Sequence, residues 1–308
     1  MIQPIVRTDV QPRSRRPARR GRLGALEFVV PIASGVLLFY LVFMLFPIVY
    51  TFVGSFFDWR PFQGRFEFHG LEHYRALLGD PEFYRGMRIN LTFTAGVVIA
   101  RTVVGLAIAM AIASLRFGAP FFRTVYFLPV VAPMISISLL WTWIYDPSYG
   151  LANQTLGLFG LPALRWLKDP DLALLGIMVM TVWKEVGYAV VIFLAALAGV
   201  PRSLYEAATI DGANAWNRFI HVTLPSIRPA TAFVVVTSII TYLQTFGQIF
   251  IMTKGGPGTS TTTTVYQIYD EAFVLFDFGT ASALSMMLFV VISVVTIVNF
   301  RFVSGRAP

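Results

Sequence analysis

Six stretches of the chain, at roughly 28–50, 89–114, 125–145, 172–198, 230–252 and 278–300, are apolar over about the 20 residues a helix needs to cross a bilayer. Shorter polar segments, rich in Gly, Pro, Asn and Asp, separate them. This pattern predicts an all-α membrane protein: a tail over 1–27, a six-helix transmembrane domain over 28–300 and a second tail over 301–308. Pro47, Pro129 and Pro133 fall in or beside these stretches. Lipid-embedded helices tolerate such breaks where neighbours satisfy the freed backbone groups.

The polar segments are unequal. Those at 51–88, 146–171 and 253–277 share one side of the predicted membrane. The first is crowded with aromatics, Phe56, Phe57, Trp59, Phe62, Phe66 and Phe68 among them, residues that suit a membrane interface or a partner's surface. On the other side only 199–229 is sizeable, and it holds most of "YEAATIDGANAWNRFIHVTLPSIRPA", residues 205–230. Ser203 and Glu206 have capping-box spacing, which predicts a helix from Leu204, and Gly212 can end it in a left-handed conformation. Asn214 can cap a second helix whose apolar face is Trp216, Phe219 and Ile220, with Pro225 and Pro229 marking its exit. Ala207 and Ala208 leave the face of this pair shallow enough to lie against another protein. On helical pattern alone, an amphipathic hairpin resting on lipid headgroups fits equally well.

Composition agrees with a membrane setting: 56% of the 308 residues are hydrophobic, 13% are charged and the mean hydropathy is +0.69. Soluble domains carry about twice that charge. Lys and Arg set the orientation. With the amino terminus cytoplasmic, about fourteen fall inside and about eight outside, and the even number of spans places both ends inside. Arg7, Arg13, Arg15, Arg16, Arg19, Arg20 and Arg22 supply most of the bias, a tail suited to anionic lipids rather than to nucleic acid in so apolar a chain. The first apolar run lacks a small-residue cleavage site and reads as an uncleaved anchor. There is no cysteine, hence no disulfide or thiolate chemistry.

Few residues in the spans carry chemistry. Arg101, Lys184 and Glu185 lie at mid-span, where each costs roughly 2.5–3.5 kcal/mol on an isolated helix, so each should face protein or water. Arg101 and Glu185 sit at similar depth and are expected to pair; Lys184, about 100° around the helix from Glu185, is expected to point elsewhere. Thr237, Thr241, Gln244 and Gln248, at spacings of four, three and four, predict one polar helix face flanked by Tyr242 and Phe246. Hydroxyls, amides and rings together suit a polyol, while interhelical hydrogen bonding accounts for the same residues equally well. Tyr188 is a further candidate on the substrate path. Gly279, Ala281, Ser282, Ala283 and Ser285 read as close helix packing. "HGLEH" at 69–73 matches a zinc pattern in form only, because Gly70 weakens the helix and a third ligand is missing, so no metal site is expected. "KGGPGTS" at 254–260 has the wrong order for a nucleotide-binding loop.

Glu206, Ala207 and Ala208, three residues, Gly212, nine residues, Val222, one residue, then Leu224 and Pro225 resemble the EAA loop of binding-protein-dependent ABC importers, with valine in place of the usual isoleucine. "FFRTVYFLPVVAP", "WTWIYDPSYGLAN", "VPRSLYEAATIDGA" and "TKGGPGTSTTTTVYQIYDEAF" resemble, in order, segments of carbohydrate-importer permeases of the maltose and glycerol-3-phosphate group, with Lys254 where small or polar residues are usual. The resemblance runs from about Pro31 to Phe300. It implies the type I ABC importer permease fold, with a cytoplasmic coupling helix in which Glu206, Ala207, Ala208, Asp211, Gly212, Leu224 and Pro225 meet an ATPase. It also implies a second homologous permease, an ABC ATPase dimer that binds ATP and Mg, an extracytoplasmic solute-binding protein and a sugar or related polyol as substrate. This chain is then expected to bind no cofactor and to sit in the cytoplasmic membrane. The rival reading is a self-contained ion-coupled secondary transporter that uses Arg101 and Glu185 as a relay.

Overall fold

The computed structural model describes residues 21–115 and 117–304. The basic residues from Arg7 to Arg20, and with them most of the 1–27 tail, lie outside the described residues, as do 305–308. The chain divides into two units, residues 1–50 and 51–308. In the first, α1 (Gly21–Tyr40) contains Pro31 and passes through a π-turn, Leu41–Leu45, into α2 (Phe46–Gly54), whose last residues belong to the second unit.

The second unit opens with a feature the hydrophobic pattern did not predict. Strands β1 (Phe57–Arg60) and β2 (Arg65–Phe68) form an antiparallel hairpin turned at Gly64, which adopts a positive φ of 65°. The chain is therefore mostly helical rather than all-α. Alternation of aromatics and charges across Phe57, Trp59, Phe66 and Phe68 carried the signal, but too briefly to stand out. Helix α3 (Glu72–Gly79) follows, and Asp80 then caps α4 (Pro81–Ala113) by accepting from the Glu82 amide.

Then come α5 (Ala119–Val131), α6 (Met134–Ile144), α7 (Leu151–Leu158), α8 (Ala173–Ala198), α9 (Arg202–Ile210), α10 (Ala215–Arg218), α11 (Leu224–Ser226), α12 (Arg228–Leu243), α13 (Gly247–Met252), α14 (Thr264–Tyr269) and α15 (Phe278–Ser304). The long helices α4 and α8 pack together, with α5 and α12 against them. Small residues permit this approach. A Cβ on Gly105 would stand 2.8 Å from that of Ala189, and one on Gly187 would overlap the Tyr126 carbonyl of α5. One core cluster holds Ala109, Val190, Phe193 and Val234; a second holds Phe93, Val97, Ile177, Met180 and Tyr242.

Among the described residues four helices are long and apolar enough to cross a membrane, Val30–Gly54, Pro81–Ala113, Ala173–Ala198 and Phe278–Asn299; the number reaches six if α5 with α6, and Ala215–Ser226 with α12, each count as one bent span. The expected third span is broken, with α5 and α6 meeting at 98°. Pro133 has no amide to continue the ladder and holds Ala132 extended, with ψ at 142°. The expected fifth span is broken too. Helix α12 stops at Leu243, Phe246 takes φ −142°, and α13 restarts at Gly247.

Both breaks leave carbonyls whose ladder amides lie beyond the gap, and polar side chains from the two central helices reach them. Asn90 Nδ2 of α4 donates to the Leu243 carbonyl at 3.0 Å, and Lys184 Nζ of α8 donates to that of Val130 at 3.3 Å. An unmet carbonyl in a buried seam costs about 1–3 kcal/mol, so these side chains hold the breaks in place.

Candidate functional site: an exposed helical pair and a buried polar centre

The segment after α8 folds back as two short helices. Helix α9 begins at Arg202, with Pro201 at its N-cap and no side-chain cap, so Ser203 and Glu206 do not form the expected box; proline at that point already fixes the entry. It ends as the spacing requires, Gly212 taking φ +77°. The Ala213 amide returns to the Ala208 carbonyl at 2.9 Å, and Asn214 caps α10 by accepting from the Asn217 amide. A π-turn, Phe219–Thr223, follows. Tyr205 and Thr223 join hydroxyls at 3.0 Å, and Arg218 reaches Thr209, so the two arms are braced against each other.

Glu206, Ala207, Asp211, Gly212, Leu224 and Pro225 are exposed and Ala208 is half-buried. Leu204, Ala207, Ala208, Asp211, Asn217 and His221 line a cavity of about 480 Å³ between the arms. The shallow alanine face is therefore a cleft with a polar rim. Ile210 and Trp216 stand 86% and 65% exposed beside it, large apolar groups that no residue of this chain covers among those described.

The intramembrane charges arrange themselves differently from expectation. Arg101 does not pair with the Glu185 carboxylate. Its Nε donates to the Glu185 backbone carbonyl at 3.1 Å and its Nη1 to Ser238 Oγ at 2.9 Å, while Ser238 donates to the Val234 carbonyl. The rings of Tyr188 and Tyr242 flank the guanidinium, with centroids 5.1 and 5.7 Å away. Lys184, expected to point away from Glu185, pairs with its carboxylate at 2.7 Å. Four methylenes give lysine the reach to turn back where the Cβ vectors diverge. The centre holds two cations and one anion. Ser238 was passed over in the sequence because the stripe through Thr237 and Thr241 drew attention to another face; a buried arginine in need of an acceptor was the available signal.

That stripe is not one helix face, because the break after Leu243 interrupts it. Thr237 and Thr241 donate to the carbonyls four residues back, Thr241 and Gln244 are exposed, and Gln248 is buried with its amide on Thr245. Tyr242 is buried at 2% exposure, whereas Tyr188 reaches the surface at 36%. Of the candidate path residues, the structure leaves Thr241, Gln244 and Tyr188 open to solvent or a partner.

On the other side of the second unit, "HGLEH" lies beneath the hairpin. His73 Nε2 contacts the Phe57 carbonyl and its Nδ1 the Thr280 hydroxyl, each at 3.1 Å, while Glu72 pairs with Arg75. These residues fasten the hairpin to α15, helped by an ion pair between Arg60 and Asp277 at 2.7 Å. The loop 253–263 is tied down by Thr261, whose hydroxyl donates to the Gly256 carbonyl and meets that of Thr253.

The family description "Binding-protein-dependent transport system inner membrane component" matches residues 102–305. The trehalose/maltose transport system permease protein MalF of Thermococcus litoralis is 32% identical over 283 residues, 92% of this chain and 94% of its own length. The sn-glycerol-3-phosphate transport system permease protein UgpA of Agrobacterium fabrum is 34% identical over 245 residues, 78% of this chain and 82% of its own. Among solved structures, a chain of a bacterial ABC transporter involved in the import of the acidic polysaccharide alginate superposes with a TM-score of 0.81 at 21% identity, covering 93% of this chain and 98% of that one. This likeness gives the chain the permease fold of type I ABC importers, and the secondary-transporter alternative gains no support. With the match covering residues 102–305, and so the exposed helical pair and Lys184, Glu185 and Ser238 of the buried polar centre, this chain belongs to the family of binding-protein-dependent transport system inner membrane components.

Proposed function

We propose that the chain is the six-span permease subunit of an ATP-driven importer for a sugar or related polyol, half of a two-permease pore with both termini cytoplasmic. The names of the trehalose/maltose and glycerol-3-phosphate relatives support the substrate class. In this reading α5 with α6 makes one span and α12 with α13 another. The exposed pair α9–α10 is the coupling surface that a separate ATPase subunit seats, and ATP and Mg are bound there rather than on this chain. A solute-binding protein on the outside delivers substrate to the loops at 51–88, 146–171 and 253–277, and a second permease closes the path past Tyr188, Thr241 and Gln244. ATPase closure moves α9–α10, and α12, joined to that pair through the π-turn and α11, shifts the pore between inward and outward access.

The observation that carries this reading is the exposed, internally braced turn at Gly212 inside a family-matched segment. Its test is co-purification from the source membrane of the wild-type chain and of Glu206→Lys and Gly212→Trp. The wild type is expected to bring down the ATPase and second permease, and each variant to keep the permease and lose most of the ATPase. Equal ATPase recovery from all three would remove the coupling role. Uptake of trehalose, maltose, glucose and glycerol 3-phosphate by the purified complex in vesicles then checks the substrate class.

A further inference from the structure

Two sequence blocks at the ends of α6 and α13 meet at one place. "WTWIYDPSYG" closes α6 and "TKGGPGTS" follows α13, and together with the chain just before α8 they enclose a cavity of about 340 Å³. Ligand pockets for small molecules begin at about this size. We propose that this cavity is a vestibule that holds one neutral saccharide unit on its way to the membrane path, a proposal that rests on the import reading above.

Three observations point to that ligand. Asp146 and Lys168 both line the cavity, yet among the described residues they form no ion pair with each other or with any other group. One carboxylate oxygen of Asp146 accepts from the Ser148 and Tyr149 amides, at 2.8 and 3.2 Å, and the other is left to accept from hydroxyls. A polyol, whose hydroxyls donate and accept alike, can serve an anion and a cation at once; a purely anionic solute would meet Lys168 favourably and Asp146 unfavourably.

The second observation is the rest of the wall. Tyr145, Leu167, Met252 and Pro257 supply apolar surface for the C–H faces of a sugar ring, beside the hydroxyl-bearing Thr142 and Thr253. That mixture of apolar wall and few polar groups characterises small-molecule sites.

The third is that both walls are fixed before any ligand arrives. Tyr145 stacks on Trp166 at 5.1 Å and donates to the Gly176 carbonyl at 3.0 Å, and Trp166 is itself held by Asn153. Opposite, the hydroxyls of Thr253 and Thr261 lock the glycine turn. A preformed site spends little binding free energy on ordering.

The chain has no cysteine, so Lys168→Cys introduces a single thiol at the cavity mouth. Leu158→Cys, at a residue 86% exposed and away from the cavity, is the control. The experiment follows labelling of each variant by a membrane-impermeant methanethiosulfonate in the assembled complex in vesicles. Trehalose, maltose, glucose or glycerol 3-phosphate is present at ten times the concentration that half-saturates wild-type uptake. Labelling of Lys168→Cys is expected to slow about tenfold in whichever neutral sugar the wild type imports, as simple occupancy requires, with Leu158→Cys unchanged. Unchanged labelling at Lys168→Cys, or equal slowing at both positions, overturns the vestibule while leaving import intact. If the wild type imports only glycerol 3-phosphate, the neutral-sugar assignment falls and the import reading stands. If it imports none of the four, both fall.

Discussion

Arg101 is 4% exposed, and what surrounds it is carbonyl, hydroxyl and two aromatic faces instead of a carboxylate. One residue away from its backbone contact, Lys184 takes the only acid of the centre. Lys184→Met therefore leaves the Glu185 carboxylate and the Val130 carbonyl without their donor. The expected loss is about 1–3 kcal/mol, below the ~3–5 kcal/mol of a fully buried pair because Glu185 keeps some contact with its surroundings. Adding Glu185→Gln should restore a large part of the loss, and a double-mutant cycle in thermal unfolding of the purified protein measures the coupling. Equal melting temperatures for wild type and Lys184→Met would show that the pair contributes nothing. Three ionisable residues in the spans were legible in advance, because hydropathy marks them sharply. Their partners were not, since those depend on side-chain reach and on a serine of α12.

Among the elements, the most informative are the two broken helices, because each break is matched to one side chain on a central helix. Asn90→Leu removes the donor to the Leu243 carbonyl and should cost about 1–3 kcal/mol, read as a lower melting temperature of the assembled permease. Gly187→Ala should cost more, since its Cβ would strike the backbone of Tyr126 and Phe127 where α5 crosses α8. Gly157→Ala in α7 is the counterweight: its Cβ meets nothing within 4 Å, and helix propensity predicts a gain of about 0.5–1 kcal/mol. A Gly187→Ala protein as stable as wild type would show that the crossing can relax. Pro133 and Pro129 made the first break readable in advance. The second has no proline; Gln244, Thr245 and Phe246 are ordinary helix residues, and tertiary contacts override their propensity. The hairpin 57–68 was illegible for a related reason: each strand is four residues long, and besides His73, just past its end, the contacts that stabilise it come from Asp277 and Phe278, far away in sequence.

At the scale of the whole molecule, the long apolar stretches determine the architecture and were readable as stretches, whereas the break after Leu243 and the features of the loops are disclosed only by the fold. In the segment between α14 and α15, burial raises the Glu271 carboxyl above its ordinary 4.5, and Asp277 and Asp270 add to the shift while Arg60 opposes it. The sign follows from proton binding. Between the unfolded and folded pKa values the folded state holds more protons, so stability falls as pH rises through that window and the penalty persists above it. Glu271→Gln should therefore raise the melting temperature at neutral pH and flatten the pH profile above about 4.5, with little effect at more acid pH. A variant with the wild-type profile would place the pH dependence elsewhere.

One geometric property of α12 bears on how work is done. It starts at Arg228, after the π-turn and α11 that follow the exposed pair, and runs uninterrupted for 16 residues to the break after Leu243. At 1.5 Å per residue it is a lever about 24 Å long, and a tilt of about 10° at one end sweeps the other through roughly 4 Å, close to the width of a carbon chain. Beyond the break the rod ends, so under the coupling proposed above a stroke reaches Gln244 and is not passed on stiffly to α13. In that coupling the throw is fixed by the position of a missing turn of helix.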